Sequence, residues 1–439
     1  MKRRAANFFA WCAFIFTCSN SLALSAETSK PLTLAAALAT AGEAHPDLAI
    51  AEAERDTVAA ERDFAAARQD VTVTLEGILR SGRPTSNESN TFQSDNSVRL
   101  TARKNLYDFG RAASARQAAQ LEFDSRQLSV LETHDQRRIE IMSRFFEVLL
   151  ADLQFTVDDE TMAVAYVRVE NARDRLENGQ ISKVDLSEIE HAYQEVLVKR
   201  SASQKRQRIT RALLANAMNR SGDLAADLDD PMLSSNNRAV AEYETMVSIM
   251  LANNPRLRAQ QTLVEATQKR LEALRAETSP TLDAEVEAAD YRRSAAARDR
   301  LRAGLILTWP LYQGNRIDAR LAREQAQFHK LQANNEKLKM ELNQALLETL
   351  LEIEQLQKTV RGAAQKQSES SDLLLEKSRG LYEMELKTNL GDSMAATIAA
   401  KLRQRKTEYQ LALAFAKLEA LLGQPLPEIK NVVSGEKAK

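Results

Sequence analysis

No proline stands between Pro84 and Pro231, and none between Pro310 and Pro425. Proline lacks the N–H that a helix ladder needs, and its ring clashes with the preceding turn. Two stretches of this length, rich in Ala, Leu, Glu, Gln, Arg and Lys, predict helices far longer than the usual ~11–12 residues. A helix from Gly110 to Asn178 would run about 100 Å. Within it Met142, Phe146, Leu149 and Leu153 step 4-3-4, the spacing of a coiled-coil seam, and Leu346, Leu350, Ile353 and Val360 continue the habit in the second interval. Composition agrees: 28% charged residues, 5% aromatics and 13 Gly in 439 residues argue against a strand-rich sandwich, a collagen or a disordered chain. A mean hydropathy of -0.40 excludes a helical membrane bundle. With 60 basic and 61 acidic residues there is no global field that would seek nucleic acid.

The first 26 residues are set apart. Lys2, Arg3 and Arg4 precede an apolar run from Phe8 to Thr17, too short to span a bilayer. Residues 1–26 therefore read as a secretory signal peptide, cleaved after Ala23 or Ala26. Both cysteines, Cys12 and Cys18, fall inside it, so the mature chain is expected to have neither disulfides nor a thiol site.

What remains repeats. His45-Pro46-Asp47-Leu48 corresponds to Asn254-Pro255-Arg256-Leu257, and Leu106-Tyr107-Asp108-Phe109-Gly110-Arg111 to Leu311-Tyr312-Gln313-Gly314-Asn315-Arg316. Arg175-Leu176-Glu177-Asn178-Gly179 corresponds to Leu381-Tyr382-Glu383-Met384-Glu385. The chain divides into a first repeat over 27–230, a second over 231–428 and a polar tail over 429–439.

Each repeat carries a hairpin of period-two segments, near 70–82 and 95–107 in the first and near 280–291 and 300–312 in the second. Val71, Val73 and Leu75 alternate with Thr72, Thr74 and Glu76; Leu301, Ala303, Leu305, Leu307 and Trp309 alternate with Arg302, Gly304, Ile306 and Thr308. Segments of about ten residues with this alternation are the mark of a transmembrane barrel strand. Tyr107, Phe109, Trp309 and Tyr312 cluster at one end of the hairpins, where an interfacial aromatic girdle would lie. Four strands cannot close a barrel, for which about eight is the working minimum, so the chain must oligomerise to finish its own.

A signal peptide, a duplicated unit, the LYDFG and LYQGN segments after two hairpins and two very long helices, in this order and spacing, resemble the outer membrane efflux protein family typified by TolC. The resemblance implies a mainly α fold with a β-barrel part. In it a homotrimer forms a twelve-stranded outer-membrane β-barrel joined to a periplasmic α-helical barrel. It implies an exit duct in outer-membrane lipid, fed by an inner-membrane transporter (ABC, RND or other) through a periplasmic membrane-fusion adaptor, in drug efflux or type I secretion. It also places adaptor contacts at the helix-turn tips. The first tip keeps the family's glycine–hydrophobic–Ser/Thr pattern as Gly179, Ile181 and Ser182; the second offers Leu386 and Thr388, with Glu385 in place of the glycine. Asp185, and Asp392 flanked by Gly391 and Met394, become candidates for the pore mouth.

Catalysis finds no support in the residues. His45, His134, His191 and His329 are isolated, and no HExxH, P-loop, GxGxxG or GxSxG segment occurs, so no catalytic residue, cofactor or metal is expected. The basic run Lys199, Arg200, Lys205, Arg206, Arg208 and Arg211 lacks interleaved aromatics and reads as an ion-paired helix face, not a nucleic-acid site. Folding each hairpin about its tip sets Lys199 to Arg206 against the neighbourhood of Asp158, Asp159 and Glu160, and sets Lys401, Arg403 and Arg405 against Glu369 and Asp372. The rival reading is an exported coiled-coil structural or translocator protein without a closed barrel; it explains the helices but neither the hairpins nor the duplication.

Overall fold

The computed structural model of the chain describes residues 31–83, 92–220, 222, 227–292, 299–384 and 390–426. The signal peptide, the polar tail and the second-tip residues Leu386 and Thr388 lie outside the described residues. Helices α1 (Leu34–Ala39) and α2 (Pro46–Ala67) lead to strand β1 (Thr72–Ile78). A two-residue ladder of β2 (Ser81–Gly82) and β3 (Gln93–Ser94) prolongs the hairpin before β4 (Ser97–Tyr107). Then come α3 (Arg111–Glu177) and α4 (Lys183–Ala217). The order recurs as α5 (Tyr243–Asn253), α6 (Pro255–Arg275), β5 (Thr281–Tyr291), β6 (Leu301–Thr308), α7 (Arg316–Gln355), α8 (Arg361–Glu383) and α9 (Leu390–Leu422). One π-helical turn, Leu356–Val360, keeps α7 and α8 a single continuous helix. Among the described residues no helix is long and apolar enough to cross a membrane.

Local chemistry sets the helix boundaries. Pro46 and Pro255 stand in the first turns of α2 and α6, where no partner for an N–H is needed. His45 Nδ1 accepts from the Asp47 amide at 3.2 Å, and Asn254 Oδ1 from the Leu257 amide at 2.9 Å. Asp108 Oδ2 accepts from the Ala112 amide at 2.8 Å and so opens α3. At the end of α4, Asn219 takes φ 55° while its Nδ2 donates to the Ala44 carbonyl at 2.7 Å. Gly423 does the equivalent after α9: its φ is 66°, and a Cβ there would run into the Asn253 carbonyl.

Two apolar clusters hold the helices together. In one, Ala37 and Ala41 cover Ile141, Phe145, Phe146 and Leu149 of α3 and Leu214 of α4. In the other, Met246 and Met250 of α5 cover Leu342, Leu346 and Ile353 of α7 and Phe415 and Leu418 of α9. Tyr409 of α9 belongs to the first cluster, stacked on Phe146 with ring centroids 4.5 Å apart and planes 3° from parallel. Its hydroxyl donates to Asp230 at 2.7 Å, and burial, then that carboxylate, push the phenol well above its ordinary range.

The charges on α3 and α4 pair across the hairpin. Arg200 meets Asp159 at 2.6 Å, Arg211 meets Asp152 at 2.7 Å and Arg206 meets Glu147 at 3.6 Å. Arg206 is thus paired some three helical turns from the acids expected of it. In the second half Arg405 turns to Asp230 at 2.9 Å instead of Glu369 or Asp372, because the segment between the halves runs past that face of α9.

Gly423→Ala should lower the melting temperature, since the left-handed φ costs about 1–2 kcal/mol for a side-chain-bearing residue and the methyl also displaces backbone. Gly380→Ala inside α8, where a Cβ meets nothing within 4 Å, should raise it, through a stability gain of about 0.5–1 kcal/mol. Thermal melts followed by circular dichroism decide both; equal shifts of one sign would refute the backbone argument.

Candidate functional site

The four longer strands form one antiparallel sheet in the order β1-β4-β5-β6, so the middle contact joins the two halves of the chain. Residues directly opposite in an antiparallel ladder point to the same side. Leu75, Leu100, Ala288 and Leu301 therefore make one row across all four strands, and Val73, Ala102, Val286 and Ala303 the next. Leu305 opposite Ala284 and Leu307 opposite Leu282 continue the face. Leu75, Leu100, Val286, Leu301, Leu305 and Leu307 are all exposed, so none of the described residues covers this surface.

The reverse face is ionic. Arg99 lies 3.7 Å from Glu76 and 3.5 Å from Glu287; Arg302 lies 2.9 Å from Glu287 and 3.8 Å from Glu285; Arg103 is bonded to Glu285. Asn105 donates to Asp283 at 2.8 Å. Sequence alternation placed these residues on one face but could not pair them, since Arg103 and Glu285 are 182 positions apart.

The aromatic candidates gather at the sheet end that feeds the helices. Tyr107 and Phe109 meet edge to face at 4.8 Å, and Phe109 adopts φ 54° at the turn into α3. Strand β6 stops at Thr308, short of the expected 312, because Pro310 has no N–H for a ladder. Trp309 and Tyr312 therefore follow the strand; both are exposed.

At the far end of α3 the first tip is built twice over. The Gln180 amide donates to the Arg175 carbonyl at 2.8 Å and the Gly179 amide to Leu176 at 2.9 Å, closing the helix through Gly179 at φ 69°. Ser182 and Asp185 then form a reciprocal capping box that starts α4. Ile181 is half-buried between the two motifs. Asp185 is thus engaged locally, and the bonds from the Ser182 backbone and hydroxyl hold its carboxyl below the usual range. Asp392 sits in the first turn of α9, ion-paired with Arg168 of α3. Beside it Gly391 comes so close to Val164 that a Cβ would lie 2.5 Å from the valine Cγ2. Arg168 had no sequence signal: its role comes only from α9 crossing α3.

Neither a family model nor a curated protein matches the chain. Solved structures do. CusC, described in terms of folding and transmembrane channel formation, is 16% identical and superposes with a TM-score of 0.72 over 89% of this chain and 92% of its own. The outer membrane protein VceC of Vibrio cholerae is 16% identical, with a TM-score of 0.70 over 90% and 97%. The CmeC outer membrane channel of Campylobacter jejuni is 11% identical, with a TM-score of 0.74 over 98% and 96%.

Two predictions test these surfaces. Leu305→Arg, on the uncovered apolar face, should cost about 2–4 kcal/mol if that face meets hydrocarbon, whereas Thr308→Arg on the reverse parity should cost less; oligomer yield after detergent extraction reads the difference, and equal yields reject the face assignment. At the tip, Asp185 has a depressed pKa in the folded state, so its stabilisation is present above the ordinary aspartate range and is lost as pH falls through the folded value. The protection of the amides over 182–186, taken relative to their intrinsic exchange rates at each pH, should fall on acidification, and Ser182→Ala should remove most of that pH dependence.

Proposed function

We propose that this chain, which has the fold of the outer membrane efflux protein (TolC) family, is a trimeric exit duct of the outer membrane. The observation that carries the reading is the open four-stranded sheet with an uncovered apolar face and two free edges, β1 and β6. Unpaired backbone groups are not tolerated in lipid, so the edges must join those of other copies. Three copies give a closed ring of twelve strands with leucines outward and the arginine–glutamate face lining the lumen.

The helices extend the duct into the periplasm. All junctions between the four strands and the helices stand at one end of the sheet, so the helical part lies wholly on one side of the membrane. A helix of 67 residues is about 100 Å long, enough to reach across a periplasmic gap. Exposed apolar side chains on α2 (Ile50, Phe64) and α7 (Met340, Leu347, Leu351) are left for neighbouring copies. The tip around Gly179, Ile181 and Ser182 is the surface offered to a periplasmic adaptor, together with Leu386 and Thr388, and an inner-membrane transporter supplies the driving force. The chain itself conducts passively, for efflux or for type I secretion, and does no chemistry.

Fractionation and planar-bilayer recording test the reading. A heat-modifiable trimer extracted by detergent from the outer membrane, with discrete conductance steps, supports it. Release into the medium without conductance would instead identify an exported coiled-coil protein. Within the duct reading Asp392 stands at the periplasmic mouth, tied to Arg168. Arg168→Ala should therefore raise single-channel conductance and make it more sensitive to divalent cations; unchanged conductance would remove Asp392 from the mouth.

A further inference from the structure

We propose that the strand section of the duct presents arginine to whatever passes, and so favours solutes carrying a carboxylate, sulfonate or phosphate on an aromatic body. The inference rests on the duct reading above and concerns only the ionic face of the sheet. Counted by formal charge, that face is acidic: Arg99, Arg103 and Arg302 stand against Glu76, Asp283, Glu285 and Glu287. Accessibility reverses the count. The side chains of Glu285 and Glu287 are 11% and 4% exposed, while those of Arg103 and Arg302, bonded to them, are 52% and 58% exposed. The carboxylates lie against the sheet, and the guanidinium groups lie over them.

This layering matters because recognition is by contact. A guanidinium has five N–H donors, and Glu285 engages the Arg103 group through Nε and Nη2. The buried acid anchors the arginine, so little rotamer freedom remains to be lost when a passing anion takes other donors. A guanidinium is also weakly hydrated and stacks on aromatic faces, which a lysine ammonium does less well. Asp283 is tied to the ladder by the Asn105 amide, its charge acting on Arg103 from beneath. Glu76, on the edge strand β1 and 53% exposed, is the acid of this ionic face that a solute meets readily.

The test compares two flat aromatic ions of equal and opposite charge, naphthalene disulfonate and methyl viologen, as blockers of trimer conductance in planar bilayers. Naphthalene disulfonate should interrupt the current at roughly a tenth of the methyl viologen concentration, the ratio that one net charge-assisted hydrogen bond supplies. Replacing Arg99, Arg103 and Arg302 together by Gln should abolish the preference, while Glu76→Gln should keep or sharpen it. Equal block by both ions, or a preference that survives the triple replacement, overturns the proposal. If the triple variant yields no heat-modifiable trimer, Arg302→Gln alone, on edge strand β6, should lose part of the preference, and its full retention overturns the proposal equally. A wild-type protein with no conductance at all would overturn the duct reading itself, which is a different failure.

Discussion

The pairing of β4 with β5 is the contact on which the rest depends. It joins Leu100 to Ala288 and Arg103 to Glu285 across nearly half the chain, closing a loop that contains the whole α3–α4 hairpin. Closure entropy grows only slowly with loop length, but a contact this distant is expected to follow the local hairpins in folding. Once made, it fixes three things together. It brings the apolar residues of both hairpins to one face, since a slip of one residue would turn half of them over. It aligns the strand ends that feed α3 and α7. It also allows α3 to pack against α6 and α9, elements of the other half.

The helical part is held by a different balance. Its helices are too polar to bury deeply, and α2 has no buried residue at all. Compact apolar clusters centred on Phe146 and Phe415 supply the cohesion. Along the remaining length, pairs such as Arg200–Asp159 and Arg211–Asp152 set register more than they add stability, because exposed ion pairs contribute about 0–1 kcal/mol each. Buried charge is handled locally: Glu122 is raised by burial against the opposing pull of Arg270, and burial lowers Arg137, whose Nε donates to the Ala41 carbonyl.

The sequence showed these features unevenly. Proline spacing revealed the long helices, because each proline is a local veto that no tertiary contact overrides cheaply. Alternation revealed the two faces of the sheet, since period two follows directly from the pleat. Partners set by three-dimensional packing were hidden. Arg405 was expected to face Asp372 but finds Asp230, a residue outside the helices. Asp185 was read for its charge, although Ser182 three residues earlier already spelled a capping box. Arg168 could not have been found, because its partner Asp392 lies 224 positions away on a helix whose approach is governed by Gly391 and Val164.

One irregularity follows from the symmetry itself. The long helices of the two halves start at Arg111 and Arg316, an offset of 205, and end at Glu177 and Glu383, an offset of 206. One extra residue therefore lies inside the second helix. In an unbroken α-helix it would rotate every later side chain by about 100°, since 3.6 residues make a turn. Ser378, which bonds to Ser393 at 2.6 Å, and Ser371, whose carbonyl accepts from Thr397 at 3.2 Å, would then swing away from α9. The π-turn at Leu356–Val360 is where the extra residue is absorbed, because i→i+5 bonding takes in one residue without shifting the turns on either side. The same widening lets Gln357 donate to the carbonyls of Asn236 and Arg238, tying the segment between the two halves to the middle of the long helix. A single insertion thus leaves both ends of the second hairpin in the register of the first, and its local distortion serves as an anchor.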